Sequence, residues 1–419
     1  MKNKACWLVI PAIAALLFPC LGCGGGAGEE VAPPQTGARI EEIGPGSFPH
    51  WCAANDLITF TDRVDGRFEV FTMKPDGSGV RCLTKDQPAL RGCGNRGQSY
   101  WHPSGEYIIF SAENANYERL GHGASARPGW GRNFNVWIMT ADGERFWQMT
   151  DYPQNWAVIE TKFSHDGSKV FWSEEYSMEK YPNGKEGDLV LPGDNPTGPP
   201  YGHPGAYHSK DQFIYRVGEE MLAWRIVYAD ISFGPDGPKM ENMRKLNPPP
   251  GYTLNEANGF TPDDRGFIGC YSVLQETGGR AVAGELFTCD LDGDFIQRLT
   301  RSPRRHDEDP CYSPDGSLIA YKETGGIVGY EDDVYLMRAD GGDIEQLTHF
   351  SEPGYPEYDP VYDQPSSDRY EYQPRGTQIT EMCFSPDGRR LLFGHCRPTQ
   401  DPMESLVGIP SHLYLLTLP

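Results

Sequence analysis

Along this chain apolar and polar positions alternate in short runs that stop at a tight turn and then resume. In HDEDPCYSPDGSLIAYKETGG (306–326) the alternation breaks at Ser313-Pro314-Asp315-Gly316. Pro pre-sets φ and Gly tolerates the exit geometry, so the tetrapeptide fits a type I turn between two strands. The same unit recurs as WHPSGEYIIFSAE (101–113), FSHDGSKVFWSEE (163–175), FTPDDRGFIGCYS (260–272) and FSPDGRRLLFGHC (384–396), with a degraded copy in WCAANDLITFTD (51–62). A second unit of strand, Asp-Gly turn and strand follows the first five copies: FEVFTMKPDGSGVRCLT (68–84), NVWIMTADGERFWQMT (135–150), WRIVYADISFGPDGPKMENMRKLN (224–247), ELFTCDLDGDFIQRLT (285–300) and DVYLMRADGGDIEQLT (333–348).

Two hairpins per repeat make a four-stranded antiparallel sheet, and six such sheets in series predict an all-β, six-bladed β-propeller. The sixth repeat stops at its third strand, HLYLLTLP (412–419), while RIEEI in ARIEEIG (38–44) parallels the outer-strand DIEQL (343–347). Arg39 to Ile43 is therefore predicted to complete the sixth blade and close the ring, protecting an open edge. With 49 Gly, 36 Pro and 12% aromatic residues among 419, the composition suits many short strands around a substantial core.

The F-S-P-D-G turn, the V-Y-L-M-x-A-D-G strand pair and the closing Q-L-T resemble the TolB-type propeller family of bacterial envelopes over nearly all of residues 38–419. More distantly, the pattern is similar to the propellers of oligogalacturonate lyase and of prolyl oligopeptidases. The resemblance implies a periplasmic binding scaffold. The separate N-terminal domain of TolB itself has no counterpart in this sequence.

The formal charge of −22 moves to −24 once Lys2 and Lys4 are taken away with a leader, which disfavours nucleic acid and anionic lipid as partners. Residues 1–23 read as that leader: a basic start, the apolar run ACWLVIPAIAALLF, and LGC, which resembles a lipoprotein cleavage box with Cys23 as the lipidated residue. Residues 24–37 read as a Gly/Pro-rich linker and 38–419 as the propeller. The expected location is the periplasm or an outer-membrane lipid anchor, with the membrane touched only through that lipid and the protein a monomer.

In such blades every tight Asp-Gly turn falls on one face of the disc. The long insertions 113–133, 174–212, 324–332, 352–378 and 397–411 fall on the other. Loops on a rigid scaffold commonly carry binding groups, and these are rich in Gly, Pro, Tyr and His, with Trp130 among their aromatics. Protein, peptide or glycan is the expected ligand. Three residues before the aromatic that opens each turn motif stand Gln98, Glu160, Asp309 and Glu381, with Glu256 in blade four, which predicts an acidic ring at the channel. Crowded carboxylates share protons, bind a cation such as Ca²⁺, meet a basic partner segment, or simply hydrogen-bond the next blade's backbone. His122, His203, His208 and His306 map to the decorated face and offer a transition-metal alternative.

No Gly-x-Ser-x-Gly elbow is present, and GASAR (123–127) lacks its last Gly. The expected activity is therefore binding without chemistry. The alternative is a metal-assisted uronate lyase at the channel mouth, with Arg127, Arg132, Arg304 and Arg305 as cationic groups. Eight cysteines remain after Cys6, Cys20 and Cys23 are set aside, and Cys270 with Cys289 is the best disulfide pair, on neighbouring strands of blade four.

Overall fold

The computed structural model describes residues 39–117, 126–154, 156–177, 206–208, 215–217, 220–273, 276, 284–302, 305–324, 332–350, 352–358, 378–396 and 411–418. The leader, Cys23, the linker, His122, His203 and Arg304 lie outside them, and His208 is described only in its backbone course.

Six antiparallel sheets form in chain order. Their innermost strands are Ser47–Cys52, Cys93–Trp101, Val158–Phe163, Tyr252–Phe260, His306–Tyr312 and Gln378–Phe384. Each packs on the next, and Gln378–Phe384 returns to Ser47–Cys52, so the blades close a six-bladed propeller. Closure follows the predicted route: Arg39–Pro45 pairs antiparallel with Ser411–Thr417, Arg39 opposite Thr417 and Pro45 opposite His412.

Blade three departs from the four-stranded expectation. Its sheet has six strands because Ala206–His208 and Tyr215–Val217 form a hairpin that adds to the long strand Glu220–Gly234. Part of the insertion read as loop is thus sheet. The Gly- and Pro-rich composition around it concealed two three-residue strands.

Why these sequences make blades is visible at the turns. Ser313 Oγ donates to Asp315 Oδ1 (2.6 Å), Asp315 Oδ1 accepts from Ser317 N–H (3.0 Å), and Gly316 sits at φ +72°. The Asp side chain thereby substitutes for a backbone acceptor while Gly takes the left-handed conformation without a Cβ penalty. Ser385, Asp387 and Gly388 repeat the arrangement.

The recurrent Leu-Thr has its own reason. Thr84, Thr150, Thr300 and Thr348 each accept a backbone N–H from the third strand, from Val70, Val136, Leu286 and Val334, at 2.9–3.0 Å. Each hydroxyl then donates to the residue one position earlier, Glu69, Asn135, Glu285 or Asp333, at 2.6–3.0 Å. In these four blades, one, two, four and five, a single threonine thus fastens the outer segment to the sheet.

Between blades lie six hydrophobic clusters, one per interface. Trp101, Trp172 and Phe393 are fully buried in them, each worth about 1.5–3 kcal/mol or more in apolar area removed from water. The ring is held by side-chain packing between sheets.

No disulfide joins Cys270 and Cys289, and all eight described cysteines are free. The two do lie on neighbouring strands, but the register sets Cys270 opposite Leu286 and Cys289 opposite Phe267. An offset of three residues turns the side chains to opposite sheet faces, Cys270 toward blade five and Cys289 toward blade three.

Candidate functional site

The inner strands meet at the channel, and each of the six carries a bulge or register irregularity there. Register shifts fall between Ser47 and His50, Gly97 and Tyr100, Ile159 and Lys162, Ala257 and Gly259, Glu308 and Cys311, and Thr380 and Met382. At four of them a non-glycine residue takes a left-handed φ: Phe48 (+51°), Gln98 (+47°), Glu160 (+57°) and Asp309 (+53°). Such residues cost on the order of 1–3 kcal/mol each and persist only where surrounding contacts fix them. A bulge re-aims one side chain out of the alternating pattern.

The structure brings together Gln98, Glu160, Asp309 and Glu381, with Glu256 beside them, and all but Glu256 are at most 9% exposed. Gln98 Nε2 donates to Glu160 Oε1 (2.8 Å) in blade three and to Glu381 Oε1 (3.1 Å) in blade six, reaching past blade one. The channel is bridged at this level.

Two cations that the sequence reading did not identify complete the cluster. Lys162 Nζ lies 2.7 Å from Glu160 and 3.0 Å from Glu381, and donates to Asn258 O at 2.8 Å. Lys322 Nζ lies 2.8 Å from Asp309 and 3.1 Å from Glu308, and donates to Ile379 O at 3.1 Å. Each lysine thus ties together neighbouring blades. A signal existed for Lys322: it is the one basic residue in the second strand LIAYKET, with Glu308 opposite it in register.

Burial pushes Glu160 and Glu256 well above the usual carboxylate range, with neighbouring carboxylates adding to it. Burial also raises Asp309, to about 6, against the pull of Lys322. For Glu381 burial is outweighed by Lys162, and for Glu308 by Lys322, so both are held low. Both lysines are held well above their ordinary value because the facing carboxylates, Glu160 and Glu381 for Lys162 and Asp309 and Glu308 for Lys322, outweigh burial. Glu308 and Glu381 are thus held ionised beside the two ammonium groups, while burial favours the protonated form of Glu160 and Glu256.

Two donor groups test whether a metal fits. Glu160, Glu256 and Asp309 present oxygens within 4.8 Å of one another, but Lys162 and Lys322 already supply positive charge there. Cys270, His306 and Glu308 present sulfur, nitrogen and oxygen at similar spacing. There Gly284 N–H donates to His306 Nδ1 (2.8 Å), which places the ring proton on Nε2, facing Glu308 Oε1 at 3.2 Å. A metal-bound imidazole needs the opposite arrangement, with a free lone pair on the ligating nitrogen and N–H on the other. Neither group fits a transition ion as it stands.

On the loop-bearing face, Arg127 lies 5.3 Å from the ring of half-buried Trp130. Their segment packs down on blade two: a Cβ at Gly97 would stand 2.5 Å from Pro128. Arg132 is 3% exposed and forms a two-pronged pair with Glu175. Arg305 pairs with Glu323. These two arginines do not converge on an open substrate site.

Fold and channel together define a six-bladed propeller with a bridged centre. The sequence matches no family model and no curated protein. Among solved structures, a provisionally identified TolB from Agrobacterium tumefaciens is similar at 14% identity, covering 91% of this chain and 98% of that one, with TM-score 0.44. An oligogalacturonate lyase from Vibrio parahaemolyticus is similar at 11% identity, covering 93% and 96%, with TM-score 0.45. A protein of unknown function from Dyadobacter fermentans matches at 11% identity, covering 91% and 100%, with TM-score 0.46.

Proposed function

We propose that the protein is an exported, envelope-located binding scaffold that takes a protein, peptide or glycan on its loop-bearing face and performs no chemistry of its own. One observation carries this reading: the ionisable groups at the channel, where chemistry would need free acids and bases, are engaged with one another. The other reading, a metal-assisted uronate lyase, is opposed by the proton on His306 Nε2 and by the pairing of Arg132 and Arg305. Tethering through Cys23 and a monomeric state belong to the same proposal.

The test is binding of the labelled protein to peptide and envelope-glycan arrays, repeated with Trp130→Ala on the loop face and Arg389→Ala on the turn face. Signal lost with the first and kept with the second supports the reading. An equimolar Mn, Zn or Fe content that disappears in His306→Ala would overturn it in favour of the enzyme.

A further inference from the structure

At the loop-bearing end of blade two lies a cavity of about 180 Å³. That is roughly 12 to 18 times what a single water needs on such a measure. Its wall runs across three consecutive strands, from Asn114 at the end of the second, through Asn135 and Trp137 on the third, to Gln148 on the fourth, with Asn116 and Gly92 at the rim. No lining residue is charged, in a chain whose net charge is −22.

The amide groups are only partly engaged. Asn114 Oδ1 accepts from Asn116 N–H (3.1 Å), Asn135 Oδ1 accepts from Thr150 Oγ1 (3.0 Å) and Tyr152 N–H (2.7 Å), and Gln148 Nε2 donates to Thr150 O (2.7 Å). That leaves Asn114 Nδ2, Asn135 Nδ2, Gln148 Oε1 and the whole Asn116 amide without a protein partner among the described residues.

We infer that this cavity is a subsite for one uncharged sugar ring, an inference that rests on the scaffold reading and selects glycan from its ligand classes. Carboxamides present a donor and an acceptor side by side, which matches hydroxyl groups that both donate and accept. The indole of Trp137 supplies apolar wall for the ring's C–H face. Anionic and cationic ligands find no counter-charge. An extended peptide is disfavoured because the cavity lies over the ends of three paired strands and not along the open edge of one.

Saturation-transfer NMR on the full chain tests this, with methyl α-glucoside, methyl β-N-acetylglucosaminide, glucuronate and a capped dipeptide as probes. Gly92 offers a plug: it is exposed, its φ is not positive, and an added Cβ would lie 3.5 Å from Asn116 Nδ2. Transfer to a neutral glycoside is expected, abolished by Gly92→Phe. It should fall about tenfold in the Asn116→Ala/Gln148→Ala double variant, as for the loss of two neutral hydrogen bonds. Should Gly92→Phe melt early, the double variant decides. No transfer to either glycoside, transfer that survives these variants, or stronger transfer to glucuronate or dipeptide overturns the inference. Array binding without glycoside transfer would remove the subsite and leave the scaffold, and glycoside transfer without any array binding would do the reverse.

Discussion

Lys162 is the residue on which the channel depends most. Its ammonium contacts both Glu160 and Glu381, whose carboxyl groups also meet each other, and its removal leaves them buried with Gln98 as their neutral partner. Lys162→Met should lower unfolding free energy by about 3–5 kcal/mol, the usual cost of orphaning a buried charge. Urea denaturation midpoints would show it, and adding Glu381→Gln should recover part of the loss. Asp307 acts in the opposite sense. It is fully buried, and burial pushes its carboxyl up to about 8, with Glu323 and Glu285 adding to this and His306 opposing it. A carboxyl whose folded value lies above its unfolded one holds its proton longer in the fold, so its stabilising contribution is complete below about pH 4 and is lost as pH rises toward 8. Unfolding free energy should fall between pH 6 and 8 by an amount on the order of 1–3 kcal/mol, read from urea denaturation at each pH, and Asp307→Asn should flatten that slope. Equal slopes in the two proteins would contradict the assignment.

At the scale of elements, the threonine that ends each Leu-Thr is a fastening point. Thr348→Val keeps the shape but strips the Asp333 carboxylate of its hydroxyl donor and leaves Val334 N–H without an acceptor. A loss of about 1–3 kcal/mol is expected, with Thr348→Ser close to wild type, read by thermal melts. Elements also show what the sequence revealed and what it hid. Turns built from Ser, Pro, Asp and Gly were legible because their chemistry is local, and so was Arg39–Pro45, because RIEEI repeats the pattern of an outer strand. The ring at Gln98, Glu160, Asp309 and Glu381 was legible from its fixed distance to an aromatic. Its neutralisation was not, because Lys322 arrives from a second strand and acts across blades. Strand adjacency was read correctly for Cys270 and Cys289, but bonding depends on register, which no local signal supplied. Unfolded under non-reducing conditions, the protein should therefore expose all eight of these thiols to Ellman's reagent.

For the whole molecule, six similar interfaces share the load, so single substitutions inside one hydrophobic cluster should weaken the protein without opening the ring. Removing residues 39–45 is different. It strips the outer strand from Ser411–Thr417, including the Glu42–His412 contact of 2.7 Å, and exposes an edge. A chain starting at Gly46 should melt lower and associate on standing, as seen by light scattering, while the complete chain stays monodisperse.

That closure also has a consequence in time. The pairing of Glu42 with Tyr414 joins positions 372 residues apart, so blade six cannot form until residue 414 has been made. Five blades can assemble as they emerge, but the first strand must wait for the last. Joining ends so far apart is entropically costly and characteristically slow. Until then, blades one and six each present an unsealed flank. The newborn protein passes through an open arc before it becomes a ring, and in that interval its apolar seam is available to chaperones, to proteases or to a second nascent copy.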